Sequence, residues 1–290
     1  MLRLMKPAPS RVGKLVGDEI IRYRSAQRVC QSNQIAELMT CLNPIQGFLS
    51  YSHHDRLAAR CIKDALGPYG IMTFLAHQDI RPSQEWQDEI SRALHACEVF
   101  FLLLTESFKH SDWTDQETGI AVALNKIIVP LKISLNPYGF VARYQAQHLS
   151  GTQLRGPNDL KVNEGCWTVV RTLAQRAHLG VRIRDHVIGS FAQSSSFREA
   201  GQYASKLQDL EPFNPGQVKE IVEVGCRNNQ IYGSFTAIQY VRGLIRKNRA
   251  SVPKVLSSQF RQMTGNRVIA SNFSASSNAN QCPESEWKFG

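Results

Sequence analysis

Residues 99–105 read Val-Phe-Phe-Leu-Leu-Leu-Thr, an apolar run with no polar residue before its last position. A strand sends alternate side chains to opposite faces, and this run has no polar face to give to water. It must therefore be a central strand of a sheet covered on both sides. Three more short apolar runs flank it: GFLSYS (47–52), GIMTFLA (70–76) and IIVPLKI (127–133). The segments between the runs have helical spacing. Leu57, Ala58, Cys61, Ile62, Ala65 and Leu66 form one stripe, with Asp55 placed to cap it, and Trp86, Ile90, Ala93 and Leu94 form another. Strand and helix alternating in this way predict an α/β fold with a doubly wound parallel sheet. Ligands of such sheets bind outside the carboxyl ends of the strands.

Charge does not redirect that reading. The formal net charge is +10, but residues 47–180 carry 13 Lys/Arg against 13 Asp/Glu, so the excess lies in the flanks. No flank holds a run of five like charges or an RNA-binding aromatic motif, and nucleic acid is not indicated as a partner. The seven cysteines are scattered, with no CxxC pair, which indicates neither a disulfide framework nor a metal site. With no stretch of eighteen apolar residues and no secretory h-region at the start, the expectation is a cytoplasmic chain without a membrane partner.

Outside the sheet region, residues 1–44 are expected to form an N-terminal helical extension that ends at Asn43-Pro44, since the residue before proline is pushed away from helix. The sheet domain is assigned to 45–178, with its last helix at 167–178. A C-terminal helical region is assigned to 179–250 from three amphipathic segments. Ser196 and Glu199 have capping-box spacing, Asn214-Pro215 starts the second segment, and Phe235, Ile238, Val241, Leu244 and Ile245 line the third. Residues 251–290, rich in Ser, Asn and Gln, are expected to be a disordered tail.

The segment SDWTDQETGIAVAL (111–124) carries the sharpest chemical signal, a tryptophan and a carboxylate four residues apart. Trp113 and Glu117 then share a helix face. Taken alone, Glu117 is also what a solvated acid in a helix's first turns looks like, and Trp113 what a packing residue looks like. His53-His54-Asp55 invites a metal reading, but adjacent side chains diverge and no other ligand cluster accompanies them. Ser50 and Ser52 lack the glycines of a nucleophile elbow.

In order and separation, FLSYSHHD, FLAHQDIRPSQEW and SDWTDQETGIAVAL followed by IIVPLKISLNPYGF resemble the bacterial branch of the Toll/interleukin-1 receptor (TIR) family. The resemblance runs from about 45 to 150 and fades toward 178. It implies a flavodoxin-like sheet, the TIR fold, here with a C-terminal helical extension. It also implies cleavage of NAD, which is a substrate and not a resident cofactor, with Glu117 as the catalytic carboxylate. Pocket residues implied by the family match Ser50, Tyr51, Ser52 and His53 after the first strand, Asp79 to Trp86 after the second, and Trp113. The loop usually holds a proline-glycine pair where this chain has Pro82-Ser83, which removes a residue tolerant of positive φ.

The chemistry of NAD suits a single acid. Its ribose C1′ is bonded to a pyridinium that departs neutral without being protonated, so one carboxylate suffices to stabilise an oxocarbenium-like transition state. Aromatic faces from Trp113, Trp86 or Tyr51 suit a pyridinium or an adenine. The family further implies self-association through TIR domains, a role in defence or as a toxin-like effector, and control by a small-molecule or protein activator. Two alternatives stay open at this point: a non-catalytic TIR module that acts by assembly, and another enzyme of N-glycosidic bonds such as a nucleoside deoxyribosyltransferase.

Overall fold

The structure is a computed structural model that describes residues 43–75, 86–149 and 160–276, with the side chains of Trp86, Leu160, Lys161 and 266–276 outside the described set. The expected N-terminal helices and most of the loop after the second strand lie outside the described residues.

Five parallel strands form one sheet: β1 (Ile45–Ser50), β2 (Ile71–Phe74), β3 (Val99–Leu104), β4 (Ile127–Lys132) and β5 (Gln147–His148), in the order β2-β1-β3-β4-β5. This is the doubly wound order that reverses direction beside β1. All six residues of β3 are fully buried. Val99, Phe101 and Leu103 enter one hydrophobic core, and Phe100, Leu102 and Leu104 enter a second on the other side. The period of two thus makes two cores from one strand. Pro130 interrupts β4 without cost to the ladder, because β5 pairs only Leu131 and Lys132 and leaves β4 unpaired on that side at Pro130.

The first core is covered by α1 (Arg56–Leu66), α5 (Leu160–Leu173) and the helices that follow. The second is covered by α2 (Trp86–Ala96), the short α3 (Glu106–Lys109) and α4 (Asp112–Ala123). Beyond α5 come α6 (Ala177–Ala192), α7 (Phe197–Asp209), α8 (Pro215–Arg227), α9 (Asn229–Gly233), α10 (Phe235–Lys247) and α11 (Lys254–Ser276). Their buried side chains continue the first core without a break, from Leu49 to Phe260. Asn214 and Gln217 make the reciprocal capping box that starts α8. At α7, Ser196 caps Glu199 N, but the Glu199 carboxylate turns to Ser195.

Several elements differ from the sequence reading. The helix expected at 167–178 spans Leu160–Leu173, and α6 begins at Ala177, at the end of the segment assigned to the sheet domain. The tail expected to be disordered from 251 is helical from Lys254 to Ser276. Composition misled there, because a few apolar residues hold that helix: Val252 and Phe260 are buried in the first core, and Leu256 and Met263 pack on it.

The helical layer is bolted to the starting edge of the sheet. Arg182 of α6 donates from Nη1 to Glu98 Oε2 (2.6 Å), and from Nη2 to Glu98 Oε1 (2.9 Å) and to the Pro44 carbonyl (2.7 Å). These contacts lie just before β3 and β1. The guanidinium holds the Glu98 carboxyl below its ordinary range. Gly70, at φ 78°, opens β2 where a Cβ would lie 2.1 Å from the His186 ring of α6, so both the backbone angle and the approach exclude a side chain.

Because Phe260 is fully buried in a core shared with the sheet, Phe260→Ala is expected to destabilise the whole chain by ~3–5 kcal/mol. Far-UV circular dichroism and tryptophan fluorescence should melt together at the lower temperature. Loss of the helical signal ahead of the fluorescence would show that the layer unfolds by itself.

Candidate active site

Register decides which strand-end residues face α4. Even-numbered Phe48 points into the second core, and Ser50, two residues on and last in β1, points the same way. Opposite it, α4 buries Thr114, Glu117, Thr118 and Ala121. The threonines are satisfied locally: Thr114 Oγ1 reaches the Ser111 and Phe108 carbonyls (2.7 and 2.8 Å), and Thr118 Oγ1 donates to Thr114 O (2.6 Å). Glu117 is therefore the one ionisable side chain on this buried face.

Glu117 is only 6 % exposed, and Ser50 Oγ donates to its Oε2 at 2.5 Å. Burial pushes the carboxyl up to about 7, although the serine hydrogen bond pulls the other way. A group that takes or loses a proton near neutrality, at the carboxyl end of a sheet, is where chemistry is expected in this fold. Its surroundings are tied together by a residue that sequence reasoning missed. Thr105, directly after β3, donates from Oγ1 to Asp55 Oδ2 (2.6 Å) and accepts from Phe108 N (3.2 Å). It caps α3 and clamps the turn after β1 at the same time. A threonine between an apolar run and a glutamate was the available signal. Asp55, expected to cap α1, makes no side-chain cap and serves this clamp. Tyr138 donates to Asp115 Oδ1 (2.8 Å), which holds the start of α4 to the loop after β4.

The remaining candidates separate. Ser52 is buried beside the strand end, while His53 and His54 are exposed on a short 3₁₀ turn (His53–Asp55). Tyr51 is buried in the first core, on the side of the sheet opposite the second core, to which α4 contributes. Trp113 is half-buried one turn before Glu117. Asp79 and the Trp86 side chain lie outside the described residues. Among the described residues no cluster of His, Cys, Asp and Glu could hold a metal ion, and no helix is long and apolar enough to cross a membrane.

Residues 48–160 match the family model of the TIR domain. This segment is a TIR domain. It contains β3, β4, Glu117 and Ser50, and the C-terminal helices lie beyond it. The bacterial branch suggested by the sequence resemblance is not shown by the relatives matched. One is the "Probable 2' cyclic ADP-D-ribose synthase BdTIR" of Brachypodium distachyon, 24 % identical over 166 residues, or 57 % of this chain and 66 % of that protein. The match thus spans just under two thirds of the relative. Among solved structures, the TIR domain of the Toll-related receptor TRR-2 of Hydra magnipapillata is 16 % identical, with 36 % of this chain and 83 % of that one covered at a TM-score of 0.33.

An ordinary carboxyl titrates near 4.5, and Glu117 titrates near 7 in the folded chain. Between those values the native protein binds more protons than the unfolded one, so stability falls as pH rises through that window. Glu117→Gln removes this loss. The variant is expected to match the wild type near pH 4.5 and to exceed it above pH 8 by up to ~3 kcal/mol, read from urea midpoints. Equal midpoints at both pH values would mean that the carboxyl is not desolvated.

Proposed function

We propose that the TIR domain cleaves the bond between nicotinamide and ribose in NAD, with Glu117 as the catalytic carboxylate. One observation carries the reading: a buried carboxyl, hydrogen-bonded to Ser50, at the carboxyl edge of the sheet. The name of the Brachypodium relative supports the same substrate class and points to a cyclic product.

The C1′–N bond breaks heterolytically, and its electron pair goes to the nicotinamide nitrogen, which neutralises the pyridinium. The cationic ribosyl carbon left behind is stabilised by the Glu117 carboxylate. Water then captures it to give ADP-ribose and a proton, or a hydroxyl of the same molecule captures it, losing its proton, to give a cyclic ADP-ribose. Glu117 acts in its ionised form. The Ser50 hydroxyl favours that form, and so does the positive charge of the bound pyridinium. In this reading Ser52, His53 and Trp113 shape the pocket, with Asp79 and Trp86 contributed by the loop after β2. That loop, approaching the α4 region of a second copy, would complete the pocket, so turnover depends on self-association. An activator would act by favouring that assembly. A defence or toxin-like effector role in the cytoplasm is what the TIR resemblance implies for a chain with this reaction, and it is proposed on that basis alone.

Purified chain incubated with NAD is expected to release nicotinamide, followed by chromatography. Glu117→Ala should lower the rate ~100-fold or more with the fold intact. Because the ionised form acts, kcat/KM should fall as pH drops through about 7. Ser50→Ala, which removes the bond that favours the carboxylate, should move that limb to higher pH. Specific activity should rise with protein concentration, with larger species in sedimentation. Undiminished turnover in Glu117→Ala would remove Glu117 from the mechanism. No turnover at any concentration would leave the TIR domain as an assembly module.

A further inference from the structure

Between Glu223 and Glu284 the chain has eight Lys/Arg and no Asp or Glu. Most of the net charge of +10 therefore sits in one stretch, and the fold concentrates part of it. Gln239, Arg242 and Arg246 recur at i, i+3 and i+7 along α10, which puts them on one stripe. Arg261 of α11 meets that stripe, and together with Ile245 they line a cleft of about 360 Å³. No acid lines it.

The arginines differ in how they are held. Arg242 is half-buried and donates from Nη2 to Thr264 Oγ1 (2.9 Å), and that hydroxyl, fully buried, donates in turn to Phe260 O (2.8 Å). One guanidinium is thus positioned by the core. Arg246 and Arg261 are exposed and, among the described residues, neither pairs with an acid. Nearby Lys247, by contrast, is paired with Glu211 at 2.8 Å. Three cations that converge with no acid among the described residues repel one another, and an anion in the cleft would relieve that repulsion.

We propose that this cleft binds a small phosphorylated ligand, with its phosphate oxygens held by the guanidinium forks of Arg242, Arg246 and Arg261. Guanidinium matches phosphate in a bidentate way that an ammonium does not. The volume falls within the range of small-molecule sites. A nucleic acid would need cations spread along a track at phosphate spacing, whereas these three gather at one concave spot. Ile245, which is buried, gives the cleft an apolar side for the rest of the ligand. The site does not depend on Glu117 or on the NAD reading.

Inorganic tripolyphosphate is the probe, titrated calorimetrically into the full chain at moderate and high salt. Saturable one-to-one binding is expected, weaker at high salt, and weakened at least tenfold in Arg246→Gln/Arg261→Gln. The same binding should persist in Arg198→Gln/Lys219→Gln, which removes as much charge from other helices. Circular dichroism confirms the fold of each variant, and if the cleft double variant does not fold, Arg261→Gln alone is read the same way. Equal weakening in both double variants, or no saturable binding, would overturn the proposal. So would a single-stranded DNA oligonucleotide that binds the chain and is not displaced by tripolyphosphate.

Discussion

The architecture depends on the burial of β3 from both faces. A strand that has six consecutive side chains out of water needs a layer on each side of the sheet, and those layers are the two hydrophobic cores. Burial of this kind stabilises by roughly 25 cal/mol for each Å² of apolar surface removed from water. It also sets the register: with odd residues of β3 in one core and even residues in the other, β1 pairs beside it with Phe48 and Ser50 on the α4 side. The contact of Ser50 with Glu117 follows from that parity. A slip of one residue in β1 would present Tyr51 or Leu49 to α4 and leave the carboxyl without its hydroxyl partner.

The two edges of the parallel sheet have different tasks. At the starting edge, Arg182 joins the helical layer to Glu98 and Pro44, and the fused core gives that joint apolar support. At the ending edge, Thr105, Asp55 and Ser50 tie strand ends and turns around Glu117. Stability is drawn from one side while the other holds a desolvated acid that costs stability above neutral pH. Such a cost at a site is expected of chemistry that needs a tuned carboxyl. The arginine cleft between α10 and α11 gathers three like charges that, among the described residues, have no acid beside them.

Much of the fold was legible because its signals are local. Four of the five strands and most of the helices between them announce themselves by short, largely apolar runs and 3.6-residue stripes, as with Leu57 to Leu66. The two-residue β5 and the four-residue α3 have no such periodicity. The helix from Lys254 was hidden by polar composition, since only the depth of Val252 and Phe260 reveals that it is held. For α6, stripes of Ile183, Val187 and Ile188 were present, but the segment lies across the expected domain boundary.

For the site, the sequence by itself determined that Glu117 stands one helical turn after Trp113 and that Ser50 ends an apolar strand, because residue spacing and helix period are properties of the chain. Only the tertiary structure decided that these two meet at 2.5 Å, since they are 67 residues apart and nothing local couples them. It also decided that Glu117 is buried and titrates near 7, because desolvation depends on what packs over a side chain and not on its neighbours in sequence. The same holds for Tyr51, whose ring suited a ligand in the sequence but is claimed by the opposite core. Strand parity, a relation between β1 and the layers on either side of it, assigned Ser50 to the acid and Tyr51 to the packing.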